Sequence, residues 1–274
     1  MKSSVSDQGQ IATAPPVALL SSRDRLLIWA SIAGVIALAW AYLLYLDRRM
    51  ASEMEHETMM AAMGMTMPMP PWTAADVVFT FAMWLVMMIG MMAGPATPLI
   101  LLFAGAHVGR GGRRVPWIVL VFGAGYLIVW AGFSAGAALA QSALHRAAML
   151  SPAMAASSPR VAGAILLAAG VYQLTPFKRT CLTHCRSPLG FLMTHWRSGN
   201  RGALEMGLRH GTYCLGCCWA LMGILFAVGV MNLLWVAALT LFVLLEKSGP
   251  AGLVVARIGG AGMIAFGALR ILEL

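Results

Sequence analysis

Seven long apolar stretches divide this chain, and they decide its fold class before any motif does. They cover 26–46, 73–106, 115–140, 161–176, 203–230, 232–245 and 251–271. Several reach the ~20 residues that a helix needs to cross a ~30 Å hydrocarbon layer. The stretches are continuously apolar, not alternating, which reads as helix and not as barrel strand. Composition agrees: 60% of residues are apolar, 11% are charged and the mean hydropathy is +0.79. A soluble domain carries about 25% charged residues. The expected fold is all-α, a polytopic membrane helical bundle of about seven transmembrane helices, with lipid as its first partner.

The net charge of +9 could suggest a nucleic-acid partner, but its distribution argues against one. Basic residues flank the apolar runs in short groups, which is how membrane topology is encoded. With the N-terminus in the cytoplasm, thirteen Lys and Arg fall on the inner side, among them Lys2, Arg113, Lys178 and Lys247. Five fall outside (Arg48, Arg49, Arg146, Arg160 and Arg270), and Arg257 lies within the last span. The bias predicts a cytoplasmic N-terminus and a periplasmic C-terminus in a bacterial inner membrane. Residues 1–22 read as a disordered cytoplasmic tail and 23–49 as an uncleaved signal anchor, because no small-x-small cleavage site follows the first run. Residues 50–71 then form a Met-rich periplasmic loop, and 72–274 a metal-binding membrane domain with a Cys-rich cytoplasmic loop over 177–218. In the second span, Pro95 and Pro98 remove two backbone donors and predict a kink.

Between Met50 and Met69 lie eight methionines, beside Glu53, Glu55, His56 and Glu57. Met63, Met65, Met67 and Met69 alternate along a stretch with two prolines and no steady helical period. Thioethers carry no charge at any pH and select soft ions, chiefly Cu(I). An amphipathic segment resting on the bilayer is the plainer alternative. The second span continues the pattern: Met83, Met87 and Met91 recur every four residues on one face, with Met88 and Met92 beside them. Such a stripe serves helix packing equally well.

All five cysteines lie in "CLTHCRSP" and "HGTYCLGCCWALM": Cys181, Cys185, Cys214, Cys217 and Cys218. On a cytoplasmic face thiols stay reduced, which favours metal or thiol chemistry over disulfides. If the fifth span begins near Ala203, then His210, Cys214, Cys217 and Cys218 share one helical face, extended by Met206 and Met222. Cys181 and Cys185, with His184 and His195, would fold over it into a site of four or more ligands. Two plainer readings stand beside this one. Cysteines serve membrane helices as small apolar residues, and the same spacing could hold a structural zinc. His107 and His145 read as interfacial, and Asp76 and Glu246 as partners of nearby Arg or Lys.

The blocks "MWLVMMIGMMAGPATPL", "CLTHCRSPLGF" and "HGTYCLGCCWALM…GVMNLLW…EK" resemble an uncharacterised bacterial family of predicted metal-binding integral membrane proteins. The resemblance spans residues 72–272 and implies a polytopic membrane fold that binds metal. The Met-rich tract lies outside it, so the copper reading of that tract rests on thioether chemistry.

Together these features predict a protein that binds Cu(I) and translocates it or hands it over. Thioethers would collect the ion outside and thiolates, the stronger donors, would receive it inside. A metal chaperone or a client metalloprotein would be the partner. No nucleotide-binding loop of the G-x-x-x-x-G-K-[ST] kind is present to drive the movement. A membrane scaffold clipped by zinc and a membrane thiol redox protein are the alternatives. The soluble C-x-x-C oxidoreductases place that motif on a βαβ unit, which this helical pattern lacks.

Overall fold

The apolar runs fold as helices, and polar or proline residues at their ends set the boundaries. A computed structural model of the protein describes residues 16–63, 72–147, 149 and 155–272. The elements are α1 (Ser22–Ala62), α2 (Ala74–Gly109), α3 (Val115–Arg146), α4 (Pro159–Leu174), α5 (Pro176–Arg186), α6 (Pro188–His195), α7 (Gly199–Gly223), α8 (Leu225–Val228), α9 (Leu233–Ser248) and α10 (Gly252–Leu272). Among the described residues there is no strand, and the all-α class holds.

Five segments are long and apolar enough to cross a membrane: Ser22–His56, Ala74–Gly109, Val115–Arg146, Gly199–Val228 and Gly252–Leu272. The pair α4–α5, bent by 65° where Pro176 opens the second helix, makes a sixth. Residues 233–245 fold within α9, capped by Asn232; its 16 residues span only ~24 Å at 1.5 Å each.

Local chemistry explains the ends. Asp76 caps α2 reciprocally with Thr73, each side chain bonding the other's backbone, so it serves the helix terminus and not the expected Arg or Lys. Thr175 accepts from the Lys178 amide and starts α5, and Asn232 accepts from the Trp235 amide and starts α9. Pro95 and Pro98 lie inside one continuous α2. They free the carbonyls of Met91 and Gly94, while the neighbouring Met92 carbonyl accepts from the Tyr126 hydroxyl at 3.3 Å.

Three expectations are corrected. The first helix does not end near residue 46 but runs to Ala62, so residues 50–62, His56 among them, are helical and not a loop. Extending an existing helix costs little per residue, and Glu, Met and Ala are good helix formers; Arg49 and Glu53 add an i,i+4 ion pair at 3.1 Å. The tail expected to be disordered over 1–22 contains a one-turn 3-10 helix, Pro16–Leu19, followed by a buried Leu20 that packs with Leu101 and Ala104 of α2. Residues 1–15 lie outside the described residues. The Cys-rich loop is largely helical, as α5 and α6, because Pro176 and Pro188 each start a new helix with their φ preset.

Glycine positions set the closest helix contacts. A Cβ at Gly163 would stand 2.7 Å from the Gly267 carbonyl oxygen, and one at Gly170 2.7 Å from that of Gly260, so α4 and α10 meet antiparallel along a small-residue seam. A Cβ at Gly207 of α7 would overlap the Phe122 carbonyl of α3. These two close pairs leave room for α2 and α9 to press on α7 from its other sides. The largest buried cluster lies there, joining Trp84 and the α2 methionines to Cys214, Cys217, Cys218 and Val243.

Candidate metal centre

Helix α7 begins at Gly199, before Ala203, so His210, Cys214, Cys217 and Cys218 share one helix, and all four are buried. Positions 214 and 218, four apart, point the same way; 217 is rotated towards α5. This rotation sets each thiol's nearest partners. Cys217 Sγ lies 3.9 Å from Cys185 Sγ of α5 and donates to the Cys214 carbonyl at 3.1 Å. Cys218 Sγ donates to the same carbonyl at 2.8 Å and lies 3.9 Å from Met92 Sδ of α2. Cys181 is buried against α7 at Gly216, where any side chain would collide with its sulfur.

The second group closes around a cation. Lys247 of α9 is only 8% exposed. Its Nζ lies 2.9 Å from Cys214 Sγ, 3.6 Å from Met92 Sδ and 3.8 Å from Cys218 Sγ. The Tyr126 hydroxyl of α3 completes the enclosure, 3.0 Å from Cys214 Sγ. Four helices thus supply one buried pocket of two thiols, a thioether, a phenol and an ammonium.

Lys247 is held in place from another face of α9. Its neighbour Glu246 receives Lys178 of α5 on both oxygens, at 2.9 and 2.8 Å, and the Gln173 amide of α4 at 2.7 Å. Gln173 also accepts from Lys178. Arg186 donates to the Glu246 and Pro250 carbonyls and ties α5 to the end of α9. Glu246 therefore has the cationic partner expected of it. Lys178 and Lys247, counted as loop charges in the topology, are instead buried in the bundle.

The other candidates are distributed as follows. Met83, Met87 and Met91 are buried with Met88 and Met92 in the same core as the cysteines, so the stripe does pack against α7. His210 stacks 5.6 Å from Tyr126, and its Nδ1 is buried with no hydrogen-bond partner among the described residues. His184 stacks on Tyr213 at 4.5 Å with Nδ1 on the Thr180 carbonyl, and His195 stacks on Phe191 at 5.0 Å. Met206 packs with Phe103 and Phe122 and accepts from the Arg197 amide, away from the thiols. His107 bonds the Arg113 carbonyl, and His145 stacks on Trp72. His56 and Met63 are exposed, while Met65, Met67 and Met69 lie outside the described residues.

Among the described residues no three His, Cys, Asp or Glu side chains are grouped to hold a metal ion. What converges is a mixed set of thiol and thioether sulfur. Sequence reasoning missed Tyr126 and Lys247 and treated Met92 as a neighbour of the stripe. An available signal was "EK" at the end of an apolar helix, since ionisable residues within such helices mark function.

The fold is an all-α bundle with helices of membrane length around a buried sulfur pocket. Residues 81–270 match the PpoB2 copper chaperone family, more than half of the chain, and this protein belongs to that family. No curated protein and no solved structure matches it.

Proposed function

We propose that this protein holds Cu(I) at the pocket formed by Cys214, Cys218 and Met92 and hands it over to a client metalloprotein in the bacterial inner membrane or beside it. The observation that carries the reading is the convergence of three sulfurs from α2 and α7 within 4 Å of one buried point, Lys247 Nζ. Two thiols and a thioether suit a soft ion of low coordination number. Structural zinc calls for four ligands drawn from Cys, His and carboxylate. That difference favours copper over the zinc-clipped scaffold.

The remaining methionines form an approach to this pocket. Met54, Met59 and Met63 are exposed near the end of α1. Met83, Met87, Met88, Met91 and Met92 then run inward along α2, covering ~14 Å at 1.5 Å per residue. Weak thioether donors leading to stronger thiolates would draw the ion inward without ATP. With the N-terminus cytoplasmic, capture occurs on the periplasmic side, where His56 and the Met63–Met69 tract contribute. Cys185 and Cys217, a second sulfur pair, and His210, with its unpartnered nitrogen, are the next donors for an ion leaving the pocket, on the side of α5 that also carries Cys181 and His184.

Metal analysis of protein purified in detergent and loaded anaerobically with Cu(I) tests this. Wild type is expected to retain copper, and the Cys214→Ser/Cys218→Ser double variant to lose it. Deleting residues 50–69 should slow loading and leave the pocket's capacity unchanged. Wild-type copper content in the double variant would overturn the ligand assignment, and a steady zinc content without copper uptake would favour the scaffold.

A further inference from the structure

Copper handling does not by itself explain Lys247. A tight soft-metal site needs neutral or anionic donors, and an ammonium at its centre works against it. The cluster nonetheless has the form of a coordinated cation, with Nζ at 2.9, 3.6 and 3.8 Å from three sulfurs. The carboxylate nearest in sequence does not serve this charge. Glu246 is committed to Lys178 and Gln173 through α4 and α5, on another face of α9. That network also fixes the register of α9, which directs the Lys247 stem into the pocket.

Ammonium and metal would contend for the same sulfurs. Nζ stands 2.9 Å from Cys214 Sγ, on the side of that sulfur facing the pocket, and a second cation a few ångströms away in a poorly screened interior repels it, an effect the thiolate charges reduce. We propose that Lys247 is an internal stand-in for the copper ion. It holds Cys214, Cys218 and Met92 in place in the metal-free protein and competes with Cu(I) for them. The competition keeps copper loosely enough bound to be passed on. This inference rests on the copper reading of the same pocket and adds to it the device that sets affinity.

The test compares Cu(I) affinity in wild type, Lys247→Leu and Lys247→Arg by competition with a colorimetric Cu(I) chelator, in detergent. Removing the charge should tighten binding by roughly tenfold or more and slow release to the chelator to match. Lys247→Arg keeps the charge and should stay near wild type. Where leucine prevents folding, the neutral Lys247→Gln supplies the same comparison. If wild type loads copper and the neutral variants bind it no more tightly, or more weakly, the stand-in role is overturned and the copper reading survives. If wild type takes up no copper, both fall together.

Discussion

The pair Lys178–Glu246 is the interaction whose loss the structure makes costliest. Both side chains are 1% exposed, and Lys178 Nζ meets both carboxylate oxygens, at 2.9 and 2.8 Å. Replacing Lys178 with Met leaves the Glu246 carboxylate buried with the Gln173 amide as its remaining side-chain partner. Breaking a buried pair from one side costs about 3–5 kcal/mol, because the surviving charge stays desolvated. The Gln173 bond at 2.7 Å offsets part of that and places the loss near the lower end, about 3 kcal/mol. Converting the partner as well, in Lys178→Met/Glu246→Gln, removes the orphaned charge, and the double variant should lie within about 1–2 kcal/mol of wild type. The measurement is a double-mutant cycle on unfolding in detergent, where the two changes should be strongly non-additive. A Lys178→Met variant destabilised by less than about 1 kcal/mol, or a double variant no better than the single, would refute the reasoning.

Further tests address packing and ligands separately. Gly207→Ala should destabilise the bundle by about 1–3 kcal/mol, since its Cβ would overlap the Phe122 backbone, whereas Gly34→Ala, with open space around it, should not; thermal midpoints in detergent distinguish the two. Met92→Leu keeps core volume and should cost less than about 1.5 kcal/mol of stability. It removes one sulfur from the pocket, so Cu(I) affinity should fall by roughly tenfold, the scale of one modest contact, as read by chelator competition.

The helical architecture was legible because hydropathy and length are properties of a segment alone. Every one of the seven apolar runs folds as helix over most of its length, although 161–176 is divided at Thr175 and 203–230 at Ile224. Helix ends were less legible. Residues 50–62 contain no apolar period, yet they continue α1, because propagation needs only compatible residues and not a buried face. The helix starts at Pro176 and Pro188 were legible in principle, as proline presets the first helical turn. Their effect was hidden by reading the whole basic stretch as a loop.

The site was harder to read because its members meet only through tertiary packing. Spacing on α7 placed Cys214 and Cys218 together with no knowledge of the neighbours, and the α2 stripe announced a sulfur-rich face. Which sulfur meets which depends on the helix approaches set at Gly207 and Gly216, and no one-dimensional pattern encodes those. The charges misled for a different reason. Counting Lys and Arg by loop treats each as solvated at a membrane surface, but Lys178 and Lys247 are buried, one against Glu246 and the other against three sulfurs. A charge survives burial only where partners surround it. A lysine at the end of an apolar helix therefore carries two messages, one about topology and one about what lies inside the bundle. For Lys247 the second is the informative one, because its partners are the same sulfur atoms a soft metal would take.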